Sequence, residues 1–121
     1  MHVIKKDIEK NRLIISLSGV ILYPEVLKIK DRIYKAVESL KPGFDTINDL
    51  SNFIKGDDDA ATILGEVNKH LIEKKVRRIV RIVGPSRTGL MQFAKYSPPD
   101  VNQFIKYVPT MEEAEKILGE K

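Results

Sequence analysis

Three adjacent carboxylates, Asp57, Asp58 and Asp59, form the densest group of chemically capable side chains in the sequence. Such a group can collect a divalent cation or start a helix. Neighbouring carboxylates on a helix start point in different directions, and the alternating Asp spacing and distal Glu of a calcium loop are missing. Helix capping is therefore the reading adopted, and no metal is expected. The chain has two histidines, His2 at one end and His70 late in an apolar-faced segment. A general base at His70 would need a partner acid or nucleophile, so packing at a helix boundary is expected instead. Gly84 and Gly89 have G-x-x-x-x-G spacing, but Leu90 and Met91 stand where a phosphate loop needs Lys and Ser or Thr. Ser86 reads there as a helix cap. There is no G-x-S-x-G elbow and no H-E-x-x-H pair. Arg81 falls in a segment of strand character, and a buried guanidinium needs a partner. Asp49, on the strand expected beside it, is the natural candidate; an anion-binding Arg81 lining a pocket is the alternative. No set of residues meets the requirements of a catalytic centre, so a non-enzymatic protein without cofactor is expected.

Composition sets the frame for these residues. A chain of 121 residues, 42% hydrophobic and 31% charged, fits one globular domain with a continuous core. The absence of cysteine excludes disulfides, thiolate metal sites and a Cys nucleophile. The longest apolar runs fall far short of the roughly 20 residues that span a bilayer, and no charged leader precedes an apolar signal region. A cytoplasmic location is expected. The net charge of +4 raises the question of nucleic acid. The cations are scattered, however, and the Lys74-Lys75-Val76-Arg77-Arg78 stretch reads as a helix end running into a strand. No basic segment is interleaved with base-stacking aromatics, so nucleic-acid binding is not expected.

The elements that must position the residues follow from periodicity. Residues 3–9 and 12–18 read as a hairpin around Lys10-Asn11, with Leu13, Ile15 and Leu17 on one face. Pro24 suits the start of a helix whose Val26, Ile29, Ile33, Val37 and Leu40 form one stripe, stopped by Lys41-Pro42-Gly43. Residues 44–51 read as a strand and 58–75 as a second helix with Ala60, Ile63, Leu64, Val67 and Leu71 inward. A strand over 76–83, a short helix carrying Leu90, Met91 and Phe93, and a strand over 104–108 follow. Thr110 and Glu113 form a capping box for a last helix with Ala114, Ile117 and Leu118 inward. The order β-β-α-β-α-β-α-β-α predicts an α/β fold: a mixed, mostly parallel sheet of four or five strands, an N-terminal antiparallel hairpin and four helices, all one domain over 1–121.

Specific residues in this order resemble a known family. Phe44-Asp45-Thr46-Ile47-Asn48-Asp49-Leu50-Ser51 resembles the central strand of STAS domains, the module of bacterial anti-sigma-factor antagonists and sulfate-transporter tails. Arg81-Ile82-Val83-Gly84-Pro85-Ser86 is similar to the family's third parallel strand and exit turn, and Thr110-Met111-Glu112-Glu113-Ala114 to the start of its C-terminal helix. The resemblance covers nearly the whole chain in order and spacing.

The resemblance implies a non-catalytic regulatory module that binds a protein partner through a loop over 51–59 and the start of the following helix. Ser51, Asn52, Asp58, Asp59 and Thr62 are the residues expected to carry that contact. Regulated antagonists bear a phosphorylated serine in an Asp-Ser-Ser-Gly-like step at this helix start. Here the region reads Lys55-Gly56-Asp57-Asp58-Asp59-Ala60-Ala61-Thr62, without serine, so control by phosphorylation at the usual site is not expected. A phosphate added near the three aspartates would also be repelled. The chain equally resembles the family's lipid-binding, CRAL-TRIO-like branch. That likeness implies the alternative of a carrier or sensor of a small apolar molecule, in a pocket lined by Leu64, Val67, Leu90 and Phe93.

Overall fold

The alternation of apolar residues in Leu13, Ile15 and Leu17 reappears as the inner face of the second strand in a computed structural model that describes residues 1–83 and 104–119. The described elements are β1 (His2–Asp7), β2 (Arg12–Ile21), α1 (Tyr23–Glu38), β3 (Asp45–Gly56), α2 (Asp58–Glu73), β4 (Arg78–Ile82), β5 (Ile105–Val108) and α3 (Met111–Leu118). They form one five-stranded sheet in the order β1-β2-β3-β4-β5. β1 is antiparallel to β2, and the other pairings are parallel. The mixed sheet and its opening hairpin are as expected. Three helices are described; the expected short helix with Leu90, Met91 and Phe93 lies outside the described residues.

The sheet separates two apolar clusters. Leu13, Ile15 and Leu17 of β2, Leu50 and Phe53 of β3 and Ile79 of β4 pack with the inner stripes of α1 and α2. On the other face Ile47, Val80, Ile82 and Val108 pack with Ala114 and Leu118 of α3. Outside the end of β3, period-two alternation assigns the buried strand residues to one cluster or the other. The helices start where expected. Pro24 lies in the first turn of α1, and the Thr110 hydroxyl accepts from the Glu113 amide (3.2 Å) at the start of α3.

Several boundaries differ from expectation. The hairpin turn takes residues 8–11, so β1 stops at Asp7; Asn11 adopts a positive φ of 53°, a conformation its short polar side chain tolerates. α2 ends at Glu73 and not at Lys75. Lys75 turns into the left-handed region (φ 69°), while its amide bonds the Ile72 carbonyl and the Val76 amide bonds that of Leu71. That pair of bonds is a Schellman termination with lysine in the place glycine usually takes. β4 then begins only at Arg78; the Arg77 amide still bonds the Phe44 carbonyl (2.7 Å), and its side chain grips Asp45 through Nε and Nη2 (Nε to Oδ1 2.9 Å). The largest correction concerns β3. Its last residues, expected to belong to a loop over 51–59, stay in the sheet through Gly56 and pair with the end of β2.

Candidate partner-binding surface

The residues expected to form one binding loop occupy two places. Up to Asp49, β3 lies between β2 and β4 and keeps regular register with both. Beyond Asp49, β4 pairs with it no further, and the register with β2 jumps twice. It passes from Ser16 opposite Asp49 to Ser18 opposite Asn52, and from Gly19 opposite Phe53 to Val20 opposite Lys55. Each jump gives β3 one extra residue, a β-bulge. Leu50 and Phe53 both point into the main core, so the first bulge leaves Ser51 and Asn52 together on the opposite face. Gly19, at φ 69°, supplies the backbone turn facing the bulges; a Cβ there would touch nothing, so glycine is needed for conformation and not for space.

Ser51 and Asn52 border a hollow of about 140 Å3 whose other polar walls are Ser16, Ser18 and Asp49, with His2 and Val3 beside them. The Asp49 carboxylate is held there by Ser51, whose amide (3.1 Å) and hydroxyl (2.6 Å) both donate to Oδ1.

Asp58, Asp59 and Thr62 lie elsewhere. Strand rise alone carries the chain about 13 Å from Asn52 to Gly56 before α2 begins. Asp57 caps that helix by accepting from the Ala60 amide (2.8 Å), and its second oxygen accepts from the Tyr23 amide (3.1 Å), tying the starts of α1 and α2 together. Asp58 and Asp59 complete the acidic first turn, exposed. The Thr62 hydroxyl donates to the Asp58 carbonyl (3.0 Å). The two helices run side by side from there, joined by Lys30 to Glu66 (3.4 Å) and by Tyr34 stacked on His70 with ring centroids 3.7 Å apart. Tyr23 and Leu27 fall on the same stripe of α1 as Lys30 and Tyr34. They stay 40% and 42% exposed beside the acidic turn. Both lie off the inward stripe of Val26, Ile29, Ile33, Val37 and Leu40, and nothing in helical spacing alone marks an apolar residue there as part of a surface. Asp49, Ser16 and Ser18 are not legible as a group because strand register, which sets Ser16 opposite Asp49, and the bulge beyond it are not visible in spacing.

The other candidates resolve as follows. Arg81 is fully buried, and Asp49 does not pair with it, contrary to expectation. Arg81 stands opposite Asn48 while Asp49 stands opposite Ile82, so the two side chains leave opposite faces of the sheet. The Arg81 Nη1 donates to the Tyr107 hydroxyl (3.0 Å), with its guanidinium 5.8 Å from that ring. Burial draws this guanidinium below its ordinary pKa, against the opposing influence of Tyr107. His70 is half-buried, as expected of a boundary residue; burial and the nearby Lys74 charge lower its pKa. His2 joins β1 to α1. Arg32 can only donate, so its bond to Nε2 (3.2 Å) leaves the Nδ1 proton to donate to Glu25 (2.7 Å). Burial opposes ionisation of Glu25, but the bonds from His2 and the Met1 amine prevail and hold its carboxyl below the usual value. Among the described residues no three His, Asp or Glu side chains gather into a metal-binding group, and no helix is long and apolar enough to cross a membrane.

Of the expected apolar pocket, Leu64 and Val67 border a void of about 10 Å3 with Ile15, Leu17, Ile33, Asn48, Leu50 and Asn68. Leu90 and Phe93 lie outside the described residues. Such a void has room for about one water molecule.

A five-stranded mixed sheet with this hairpin, these crossovers and a C-terminal helix is a STAS-like fold. Its likeness to solved structures is end to end. The anti-sigma factor antagonist SpoIIAA in its unphosphorylated form superposes with a TM-score of 0.70 at 16% identity, over 99% of this chain and 100% of that one. The phosphorylated form of the Bacillus cell fate determinant SpoIIAA gives 0.63 at 15% identity, covering 98% and 99%. A DUF3478-family protein with a SpoIIAA-like fold from Shewanella loihica gives 0.69 at 15% identity, covering 98% and 92%. No protein-family profile matches the chain, and no curated protein sequence does. At such identities the likeness defines the fold.

Proposed function

We propose that this chain is a non-catalytic regulatory module that binds a protein partner. The observation that carries the reading is the full-length correspondence with SpoIIAA, an anti-sigma factor antagonist, at a TM-score of 0.70. The acidic first turn of α2, with Asp58, Asp59 and Thr62, supplies one part of the docking surface. Tyr23 and Leu27 add apolar area beside it, and exposed apolar side chains rimmed by charge suit a protein interface. Ser51 and Asn52 supply a second part around the bulge of β3. Phosphorylation at the helix start is not part of this reading, because no residue from Lys55 to Thr62 is a serine and Asp57 already fills the cap position.

The carrier reading draws less support. Sites for small apolar ligands enclose about 300–1,000 Å3, whereas among the described residues Leu64 and Val67 border a void of about 10 Å3. Native mass spectrometry of the protein purified from its own host separates the two readings. A co-purifying protein that is lost from the Asp58→Ala, Asp59→Ala double variant, with the melting transition preserved, is the expected result. A small molecule released on denaturation, with protein capture unaffected by the double variant, would replace this reading with the carrier.

A further inference from the structure

We propose that the hollow beside Asp49 receives a cationic side chain, a lysine ammonium or an arginine guanidinium, projecting from the protein partner. The inference rests on the docking reading above and names the chemistry of one of its contacts. Three observations carry it. The first is the lining: among the described residues Asp49 is the one carboxylate of the hollow, and Ser16, Ser18, Ser51 and Asn52 surround it with hydroxyl and amide oxygens. An acceptor-rich wall around one negative charge suits a donor that carries positive charge.

The second is the state of that carboxylate. Both donors from Ser51 go to Oδ1, which fixes the plane of the group and leaves Oδ2 facing no cation among the described residues. The chain carries 21 Lys and Arg, yet none of those described forms an ion pair with Asp49. The Met1 amine borders the hollow but is bonded to the Ser18 carbonyl (3.0 Å) and to Glu25 (3.1 Å).

The third is size and position. A volume of about 140 Å3 is well short of a small-molecule site but ample for the head of one long side chain. The hollow also lies on the sheet face opposite α1 and α2, on its β1–β2 side. On that face α3 packs on Ile47, Val80, Ile82 and Val108, and among the described residues none from α3 lines the hollow. A side chain can therefore enter from a partner lying against that face.

The test uses the isotope-labelled full chain and small probes: the amides of N-acetylarginine and Nα-acetyl-lysine, with the uncharged amide of N-acetylglutamine as control. Saturable shifts of the Ser16, Ser18, Ser51 and Asn52 amide resonances are expected with the two cationic probes. Affinity should fall on the order of tenfold in Asp49→Asn, as the loss of one charge-assisted contact implies. Ser18→Lys, which brings an ammonium into the hollow, should block the probes with Asp49 intact, and it carries the test alone if Asp49→Asn does not fold. The proposal is overturned if the glutamine probe binds equally well, if both variants bind as the parent does, or if the cationic probes gather at the first turn of α2. These probes need no partner. The Asp58→Ala, Asp59→Ala variant should bind them unchanged, so failure here and failure of the docking reading are separate results.

Discussion

The two halves of β3 obey different rules. From Asp45 to Asp49 the strand has a neighbour on each side, regular register and almost complete burial. From Leu50 to Gly56 it pairs with β2 alone among the described strands, bulges twice and turns Ser51, Asn52, Ile54 and Lys55 outward. The chemistry of the residues does not explain the contrast, since both halves mix apolar and polar side chains. Pairing explains it. A strand gripped from both sides cannot insert a residue without breaking two ladders, whereas a strand gripped from one side can, and bulges re-aim side chains where pairing ends. In parallel α/β sheets ligands gather beyond the carboxyl ends of the strands, and here that end is the bulged half.

The comparison breaks if the halves respond alike to substitution. The largest effect is expected at Ile47, fully buried in the regular half. Ile47→Ala should lower unfolding free energy by about 3 kcal/mol in denaturant titration. Next comes Asp45, where the carboxylate accepts both bonds from Arg77 and lies 3.8 Å from Arg78. Asp45→Ala should cost about 2 kcal/mol, and less in high salt if the exposed Arg77 supplies most of the attraction. Gly19→Ala, opposite the bulges, should cost about 1 kcal/mol through its positive φ alone. Ile54→Ala, at a position 51% exposed in the bulged half, should change stability by no more than about 0.5 kcal/mol. An Ile54 effect as large as that of Ile47 would mean that the second half is packed after all.

The smallest effect sharpens the comparison from outside β3. Burial lowers the His70 pKa below 6.5, so the folded state favours the neutral ring. The unfolded chain then binds a proton more readily. This contribution to stability is intact above pH 6.5 and is lost as pH falls through that value toward the folded pKa. His70→Phe keeps a ring against Tyr34 and removes the proton site. Its melting temperature should therefore fall less than the parent's between pH 7 and pH 5, and an identical fall would assign the acid sensitivity to other groups.

Much of the architecture was legible because it rests on local rules. The inner stripes of α1 and α2, the Asp-rich start of α2 and the Thr110 capping box need only helical spacing and cap chemistry. The Asp49–Arg81 pair failed for a reason that spacing cannot reveal. Neighbouring strands were correctly assigned, but a register offset of one residue sends two side chains to opposite faces. The strand character of residues 52–56 is hidden for a related reason: each bulge resets the alternation on which strand recognition depends, so the strand reads as ending at Ser51. The site suffered most from this. Ser51 and Asn52 were singled out as parts of a loop continuous with Asp58, whereas the strand holds them apart and groups them with Ser16 and Ser18.

Arg78 has a consequence beyond the static fold. Its two Nη groups donate to the last carbonyls of α3, Ile117 (2.8 Å) and Leu118 (3.2 Å), while its Nε approaches Asp45. With eight residues, α3 is too short to persist as an isolated helix, so its backbone order exists only while it is docked. One guanidinium thus connects the release of the helix to the first residue of β3. Amide exchange along α3 should proceed as a single cooperative opening, separate from global unfolding, whose rate reports on a cation at the opposite end of the helix from its cap.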